Sequence, residues 1–439
     1  MELEFLKRQM YKEQIANKLS NLPDNIKLTE KQIEAFSLMD QGYNIFLTGA
    51  AGSGKTMLIK TFISLYKESK IIGVTSTTGI SALLFGGTTL HSYLGIGLGT
   101  GTIESITKKI FMFSWLRKRW NDIETLVIDE ISMLSPELFD KIEEIARIVR
   151  RNKKPFGGIQ LILSGDFCQL PCVKSEDFCF EAKSWDTCIN YNIYLTEIMR
   201  QTDKEFQDCL NNIRIGLLPK NTKKILESRI GVELKNEFGI KPTKLYSTNY
   251  SVDYINSNEL DKLDTELYEY DMETIVYPGC KNKALVVEKH KKYCAAVDLL
   301  QLCVGSQVML IYNMSIENGL VNGSRGVITR FINDIPIVRF INGEERVIDY
   351  HVWEVEENDK KIMKMIQIPL KLAWAFTIHK IQGCTLDYAE IDLSNCFEYG
   401  MSYVALSRVK NLNSLSIIDI DFEKIKANPK AIDFYKKLI

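Results

Sequence analysis

The sequence predicts an α/β protein built on parallel sheets with flanking helices and broken by a β-rich insertion. Three observations lead there. From Leu28 onward short buried apolar runs alternate with longer amphipathic stretches, the texture of strand–helix–strand units. A glycine-rich loop sits between one such strand and one such helix. Over 267–365 the texture changes to short alternating strands with Asn-, Asp- and Gly-rich turns, and from Ile366 the α/β pattern returns.

Residues 1–20 form a charged amphipathic stretch, read as a helix within an N-terminal segment 1–24. Strands are predicted at 44–47, 71–75, 126–129 and 160–164. Helices are predicted at 55–66, around 107–118 and at 136–150. In the β-rich region the strands are 307–312, 326–331 and 335–340, and the returning α/β part carries strands near 389–392 and 415–420. A chain of 439 residues has room for about three domains.

Apolar residues make up 45% and charged residues 25%, ordinary for a globular enzyme. The 55 basic and 56 acidic side chains leave a net charge of −1, which excludes a globally basic nucleic-acid coat. Strand contacts must then come from local patches and backbone groups. No uncharged apolar run reaches about 18 residues, so no membrane span is expected. Glu2 and Glu4 precede the first base, unlike a secretory signal. Ten cysteines in a chain this long are not a disulfide framework. A soluble protein of a reducing intracellular compartment, cytoplasmic or nuclear, is expected.

Gly49-Ala50-Ala51-Gly52-Ser53-Gly54-Lys55-Thr56 has the spacing of a phosphate-binding loop. Its glycines turn backbone N–H groups inward, and the next helix aims its N-terminal dipole at the same anion. Lys55 is expected to reach the β- and γ-phosphates of a nucleotide, and Thr56 to ligate Mg²⁺. About 75 residues on, Leu126-Val127-Ile128-Asp129-Glu130 ends a buried strand in two carboxylates. That edge is where α/β proteins place ligands. Asp129 is the second expected Mg²⁺ partner, and Glu130 the group that orients or deprotonates an attacking water.

Ser164-Gly165-Asp166-Phe167-Cys168-Gln169-Leu170-Pro171 follows another strand, and Gln169 is placed to sense a γ-phosphate as a neutral donor. Arg200 and Arg408 lie beyond the first α/β unit. Each is either a surface ion pair or an arginine that reaches across a cleft to developing charge. The segments containing Thr89-Leu90-His91-Ser92 and Thr377-Ile378-His379-Lys380-Ile381-Gln382-Gly383 carry hydroxyls, imidazoles and glycines suited to phosphate and sugar contacts. Cys168, Cys172, Cys179 and Cys188 match no common zinc spacing and read as core or turn residues. Over 108–120 bases alternate with aromatics. This is either a strand-separating element or a helix whose aromatics face the core and whose bases are solvated.

The order of these motifs resembles the superfamily-one helicases of the petite-integration-frequency (Pif) type. The matching segments are 28–32, the phosphate loop, Thr78-Gly79-Ile80-Ser81-Ala82, 89–92, 128–133, 155–160 with 165–171, 319–326, the His379 segment, 403–408 and the tail around 427–435. They cover the chain from about residue 25 to its end. The resemblance implies two RecA-like domains, at 25–200 and at 201–266 plus 366–439, with ATP in the cleft between them. It also implies a wedge near 95–120 and an SH3-like insertion at 267–365. Gln32 would contact adenine, and the nucleotide site would comprise Gly49, Gly52, Ser53, Gly54, Lys55, Thr56, Arg200, Gly383 and Arg408, the two arginines acting as fingers. Thr78, Gly79, His91, Ser92, Thr377, His379 and Lys380 would touch single-stranded DNA.

The implied activity is ATP- and Mg²⁺-dependent 5′-to-3′ translocation on single-stranded DNA and unwinding of tailed duplex. Family roles span replication, recombination, repair, telomere maintenance and G-quadruplex resolution. A monomer is expected in the absence of DNA. Thr77 stands where the family usually has Pro, Ile381 where it has Ser, and Cys168 and Cys172 where it has an aromatic and Pro. The first two departures soften the expected DNA contacts. An RNA-directed helicase and an ATP-switched nucleic-acid-binding protein are the competing readings.

Overall fold

The computed structural model describes residues 27–438 apart from 85, 98, 173–174, 235–238, 279–282, 292–293, 313, 316–319, 321–322 and 358–359. The helix expected over 1–20, and residues 319, 321 and 322 of the 319–326 segment, lie outside the described residues.

The first unit is a six-stranded sheet. Its strands are β1 (Ile45–Gly49), β2 (Ile72–Ser76), β3 (Thr88–Thr89), β4 (Thr125–Asp129), β5 (Gln160–Gly165) and β6 (Tyr191–Leu195), in the spatial order β3-β2-β4-β5-β1-β6. Every pairing is parallel. β1, β4 and β5 are buried at every position, as strands covered by helices on both faces must be. Parallel pairing puts all six C-terminal ends on one edge. The phosphate loop, Asp129, Asp166 and Arg200 follow four of those ends.

Helices Lys55–Tyr66 and Pro136–Arg150 occupy the expected spans. The second starts on Ser135, whose hydroxyl accepts from the Leu138 amide, with Pro136 in its first turn. It buries Phe139, Ile142, Ile145, Ala146 and Val149, one face at helical spacing. The single helix expected around 107–118 is instead two, Ile103–Met112 and Ser114–Asp122. Phe113 between them has extended backbone, at φ −105° and ψ 108°. The break turns Leu116 and Trp120 into the core, and the Trp120 indole N–H donates to the Leu94 carbonyl at 3.0 Å. Phe111 and Met112 stay 37% and 68% exposed, so only part of the apolar surface of this region faces the core.

The second unit has a four-stranded sheet of Ala375–Thr377, Thr243–Tyr246, Ala389–Leu393 and Leu415–Ile420, in that order and all parallel. Between its first two segments in the chain lies an antiparallel β-rich insertion. Its largest sheet pairs Glu345–Val347, Ile335–Phe340, Arg325–Ile332, Gln307–Leu310 and Leu370–Leu372. The insertion has its own core around Leu302, Val308, Leu310, Val338 and Phe340. Its pairing runs past the expected limit at 365, because Lys360–Gln367 and Leu370–Leu372 are both strands of it.

The tail departs from expectation more sharply. Helix Pro429–Leu438, placed with the second unit by the sequence, packs on the core of the first. Phe434 stacks on Phe180 with ring centres 4.2 Å apart and meets Phe167 edge-on at 5.4 Å. The Tyr435 hydroxyl lies 2.7 Å from Thr48 Oγ1 and accepts from the Phe167 amide at 3.0 Å. An aromatic helix face is satisfied by whichever aromatic cluster it can reach, and that cluster belongs to the first sheet.

Beneath Tyr435 lies a buried ion pair. Arg214 donates to both Asp166 oxygens, from Nε at 2.9 Å and Nη2 at 2.8 Å, and its guanidinium lies 4.4 Å from the Tyr435 ring. Burial alone would raise the Asp166 carboxyl, but Arg214's charge and hydrogen bonds outweigh it and hold the pKa below the usual range.

Two stability predictions follow. Tyr435→Phe leaves the Phe167 amide unpaired and lowers stability by about 1–3 kcal/mol, read as a shift of the first transition in calorimetry. Arg214→Met strands a buried carboxylate and costs about 3–5 kcal/mol at pH 7. The Asp166 contribution is complete above the ordinary aspartate pKa of about 3.9 and is lost as pH falls through the lower folded-state value. The gap between Arg214→Met and the parent chain therefore closes on acidification.

Candidate nucleotide cleft and strand groove

The phosphate loop turns directly off β1. Gly49 has φ +148°, and a Cβ there would lie 2.5 Å from the Leu195 carbonyl oxygen, so the loop and β6 approach too closely for a side chain. Gly54 caps helix Lys55–Tyr66 without a side-chain hydrogen bond, leaving the first-turn amides to an anion. Lys55 Nζ donates to the Gly49 and Ala50 carbonyls at 2.7 and 3.1 Å. Burial pushes its amine down, opposed by the charges of Asp166, Glu130 and Asp129. Thr56 follows in the same turn.

Asp129 ends β4, and Glu130 leaves it in a left-handed conformation, φ 53° and ψ 45°. For a non-glycine residue that costs on the order of 1–3 kcal/mol and concentrates at working sites. Burial first and the Glu130 charge second push the Asp129 carboxyl up to about 7. A divalent cation would relieve both effects. The oxygen donors Thr56 and Asp129 beside a buried carboxylate pair fit Mg²⁺, a hard cation. When bound, Mg²⁺ would neutralise charge on the phosphates.

The second unit closes on this edge through hydrogen bonds between side chains and backbone and one close backbone approach. The Tyr403 hydroxyl accepts from the Ala51 amide, inside the phosphate loop, at 2.7 Å. Gly400, at φ +74°, lies against the Cys168 and Gln169 carbonyls, where a Cβ would come within 2.4 and 2.6 Å. That contact seats the Gln169 turn, with Gln169 itself buried. Arg200 Nη1 donates to the Ser407 carbonyl at 2.9 Å, and Gln201 Nε2 to the Ser407 and Val409 carbonyls at 3.2 and 3.0 Å. Arg408 donates to the carbonyls of Val404 and Cys384 and to Ser407 Oγ.

Arg200 and Arg408 are therefore brought together, and among the described residues neither forms an ion pair. Burial pushes both guanidiniums down, and for Arg200 the neighbouring Arg408 adds to it. Two desolvated cations opposite Glu130 suit a polyanion, and the surface ion-pair reading drops away. Gly383 turns beside them at φ +82°. Gln32 holds the outer side of the loop: its Oε1 accepts from the Thr29 amide at 2.9 Å, and its Nε2 donates to the Ser53 carbonyl at 3.2 Å.

The expected strand contacts sit on the same C-terminal edges. Thr78 and Gly79 follow β2, with the Thr78 hydroxyl bonded to Ser81 Oγ at 2.9 Å. His91 and Ser92 follow β3 in a turn capped by Thr89, and burial lowers the His91 imidazole. In the second unit Thr377, His379 and Lys380 line one depression of about 370 Å³ with Ser247, Thr248, Asn249 and Phe397. His379 Nε2 lies 2.9 Å from Glu398 Oε2, and Phe397 is 63% exposed. An exposed ring beside hydroxyls and a lysine suits a stacked base with its phosphates.

Sequence reasoning missed Ser247, Thr248, Asn249 and Phe397, although strand ends at 246 and 393 in a parallel sheet were a usable signal. It gave no role to Gln382, whose Nε2 donates to Glu130 Oε2 at 2.9 Å, nor to Tyr403. Both lie inside segments singled out for their neighbours. The departures are absorbed: Ile381 is buried in the second core. Thr77 donates its hydroxyl to the Glu130 carbonyl at 2.8 Å and its amide to the Asp129 carbonyl at 3.2 Å. A proline could do neither.

The chain is similar to known helicases. The family model for PIF1-like helicases matches residues 23–224, and that for the 2B domain of DNA helicase Pif1 matches 291–331. The chain is 40% identical to a protein of Invertebrate iridescent virus 6, over 94% of this chain and 95% of that one. It is 38% identical to the ATP-dependent DNA helicase PIF1 of Xenopus laevis over 95% of its length, and spans 65% of that helicase. The crystal structure of Pif1 helicase from Candida albicans superposes with a TM-score of 0.83 at 36% identity, covering 94% of this chain and all of that one. Bacteroides Pif1 in complex with ADP-AlF3 and single-stranded DNA gives 0.69 at 29% identity, with 94% and 97% covered. With 36% identity over the whole of the Candida albicans Pif1 structure and a match to the family model, the chain belongs to the PIF1-like helicase family.

Proposed function

We propose that this chain is an ATP-dependent DNA helicase that moves 5′-to-3′ on single-stranded DNA and opens tailed duplex. One observation carries the reading: Arg408, buried, and Arg200, half-buried, form no ion pair among the described residues and meet the Lys55, Asp129 and Glu130 edge of the first sheet. ATP would join the two units. Lys55 and the loop amides hold its phosphates from one side, Arg200 and Arg408 from the other. Thr56 and Asp129 would hold Mg²⁺, Gln32 borders the adenine end, and Gln169 follows the γ-phosphate. Glu130 orients the attacking water. Hydrolysis removes the contact that favours the closed cleft.

Thr78, Gly79, His91 and Ser92 on one unit, and Thr377, His379 and Lys380 on the other, would then grip and release the strand in turn. The expected units at 25–200, 201–266 with 366–439, and 267–365 give the moving parts, with helix Pro429–Leu438 riding on the first. The protein is taken as a monomer before it meets DNA, and as intracellular. No helix among the described residues is long and apolar enough to cross a membrane.

Lys55→Ala is expected to lower ATP turnover at least about a hundredfold, the scale of a lost charge-stabilising group, in a phosphate-release assay. On matched duplexes, strand separation should start from a 5′ tail and not from a 3′ tail. Separation from the 3′ tail sinks the polarity. DNA-stimulated ATPase without separation of either favours a nucleotide-switched binding protein, and equal stimulation by RNA favours an RNA-directed enzyme. Single-strand affinity should fall with salt at a log–log slope of about −0.7 per phosphate contacted.

A further inference from the structure

Glu130 is held from two sides by the segments that carry the strand contacts. On one side is Thr77, bonded through its hydroxyl to the Glu130 carbonyl and through its amide to the Asp129 carbonyl. The next two residues are Thr78 and Gly79. On the other side is Gln382, 252 residues away in the chain. It directly follows the 3₁₀ turn His379–Ile381, which carries His379 and Lys380.

The Gln382 contact has three physical features. It is the one hydrogen bond to the Glu130 carboxylate among the described residues, 2.9 Å from Nε2 to Oε2. It is buried, with Gln382 only 3% exposed. Its donor is neutral, so it aims the carboxylate without forming an ion pair with it. Gln382 Oε1 is buried with no hydrogen-bond partner among the described residues. Leaving such an atom unpaired is costly, and it calls for an explanation beyond packing.

The turn that carries Gln382 is soft. Its closing bonds, Ile381 N–H to the Ile378 carbonyl and Gln382 N–H to the His379 carbonyl, are 3.3 and 3.5 Å long, at the weak end of the range. Glu130 in turn sits in left-handed backbone, so its carboxylate direction depends on what holds it.

We propose that Gln382 is a positioning residue that makes ATP hydrolysis depend on a bound strand. A strand engaging His379 and Lys380 shifts the turn and re-aims the amide, and the amide sets the direction of the Glu130 carboxylate toward its water. Thr77 fixes the Glu130 backbone from the opposite strand contact, so both halves of the grip converge on one carboxylate. The proposal rests on the reading of Glu130 and of the strand groove given above.

The test compares ATP turnover with and without saturating oligothymidine, alongside oligothymidine affinity by fluorescence anisotropy, in the full chain. Turnover in the parent chain that ignores DNA would defeat the underlying helicase reading before any variant is made. With stimulation present, Gln382→Leu is expected to lower the ratio of stimulated to unstimulated turnover at least tenfold, while the dissociation constant for oligothymidine moves less than twofold. Thr77→Val is expected to lower the same ratio by a smaller factor, and Thr77→Ser to restore it. An unchanged ratio in Gln382→Leu overturns the proposal. So does an equal loss of turnover with and without DNA, or a loss of oligothymidine binding. If Gln382→Leu does not fold, the Thr77 pair decides: equal ratios for Thr77→Val and Thr77→Ser overturn it.

Discussion

The constraint on which everything else depends is the parallel pairing of the two sheets. A parallel strand must return through a crossover, so every loop that leaves a C-terminal strand end emerges on one edge. In the first unit that edge gathers the phosphate loop, Thr77–Gly79, Asp129, Asp166 and Arg200. In the second it gathers Ser247, Thr248, Asn249, His379 and Phe397. Neither edge is complete for nucleotide chemistry. The hydrogen bonds from the Ala51 amide to the Tyr403 hydroxyl and from the Arg200 guanidinium to the Ser407 carbonyl bring the two together.

Where the edges meet, charge is buried on both sides, and how it is paired separates structure from function. Arg214 and Asp166 are closed on each other and capped by Tyr435. That pair joins three segments distant in the chain and has little left to offer a ligand. Lys55, Arg200 and Arg408 are different. Lys55 is turned onto its own loop carbonyls, and among the described residues the two arginines bond to carbonyls and a hydroxyl. Desolvating cations that no direct ion pair holds is costly, and an anion that enters between them recovers part of that cost.

Much of the site was legible because its signals are local. A phosphate loop is eight consecutive residues, and a strand ending in Asp129 and Glu130 is five. Lys55 and Asp129 could be paired because strand-end carboxylates and phosphate loops share an edge in any such sheet. Arg200 and Arg408 could not be told from surface residues without the family resemblance, since nothing beside them in the sequence speaks of burial. Gln382 stood in plain view between His379 and Gly383 and was passed over. An uncharged side chain gains meaning only from its partner, and Glu130 lies 252 residues away.

The sequence by itself determined what periodicity and short-range stereochemistry can specify. Helices Lys55–Tyr66 and Pro136–Arg150, strands Ile335–Phe340 and Leu415–Ile420, and the change to antiparallel β structure after 266 all follow from patterns within a few turns of chain. Tertiary structure decided the rest. It broke the helix expected around 107–118 at Phe113, because Trp120 and Leu116 had a core to enter. It carried sheet pairing past 365, because Leu370–Leu372 had an open edge to complete. It sent helix Pro429–Leu438 back to the first unit, because Phe434 and Tyr435 fit an aromatic cluster assembled from four separate segments. Each outcome turns on surfaces that exist only once distant segments have met, and no local pattern encodes that meeting.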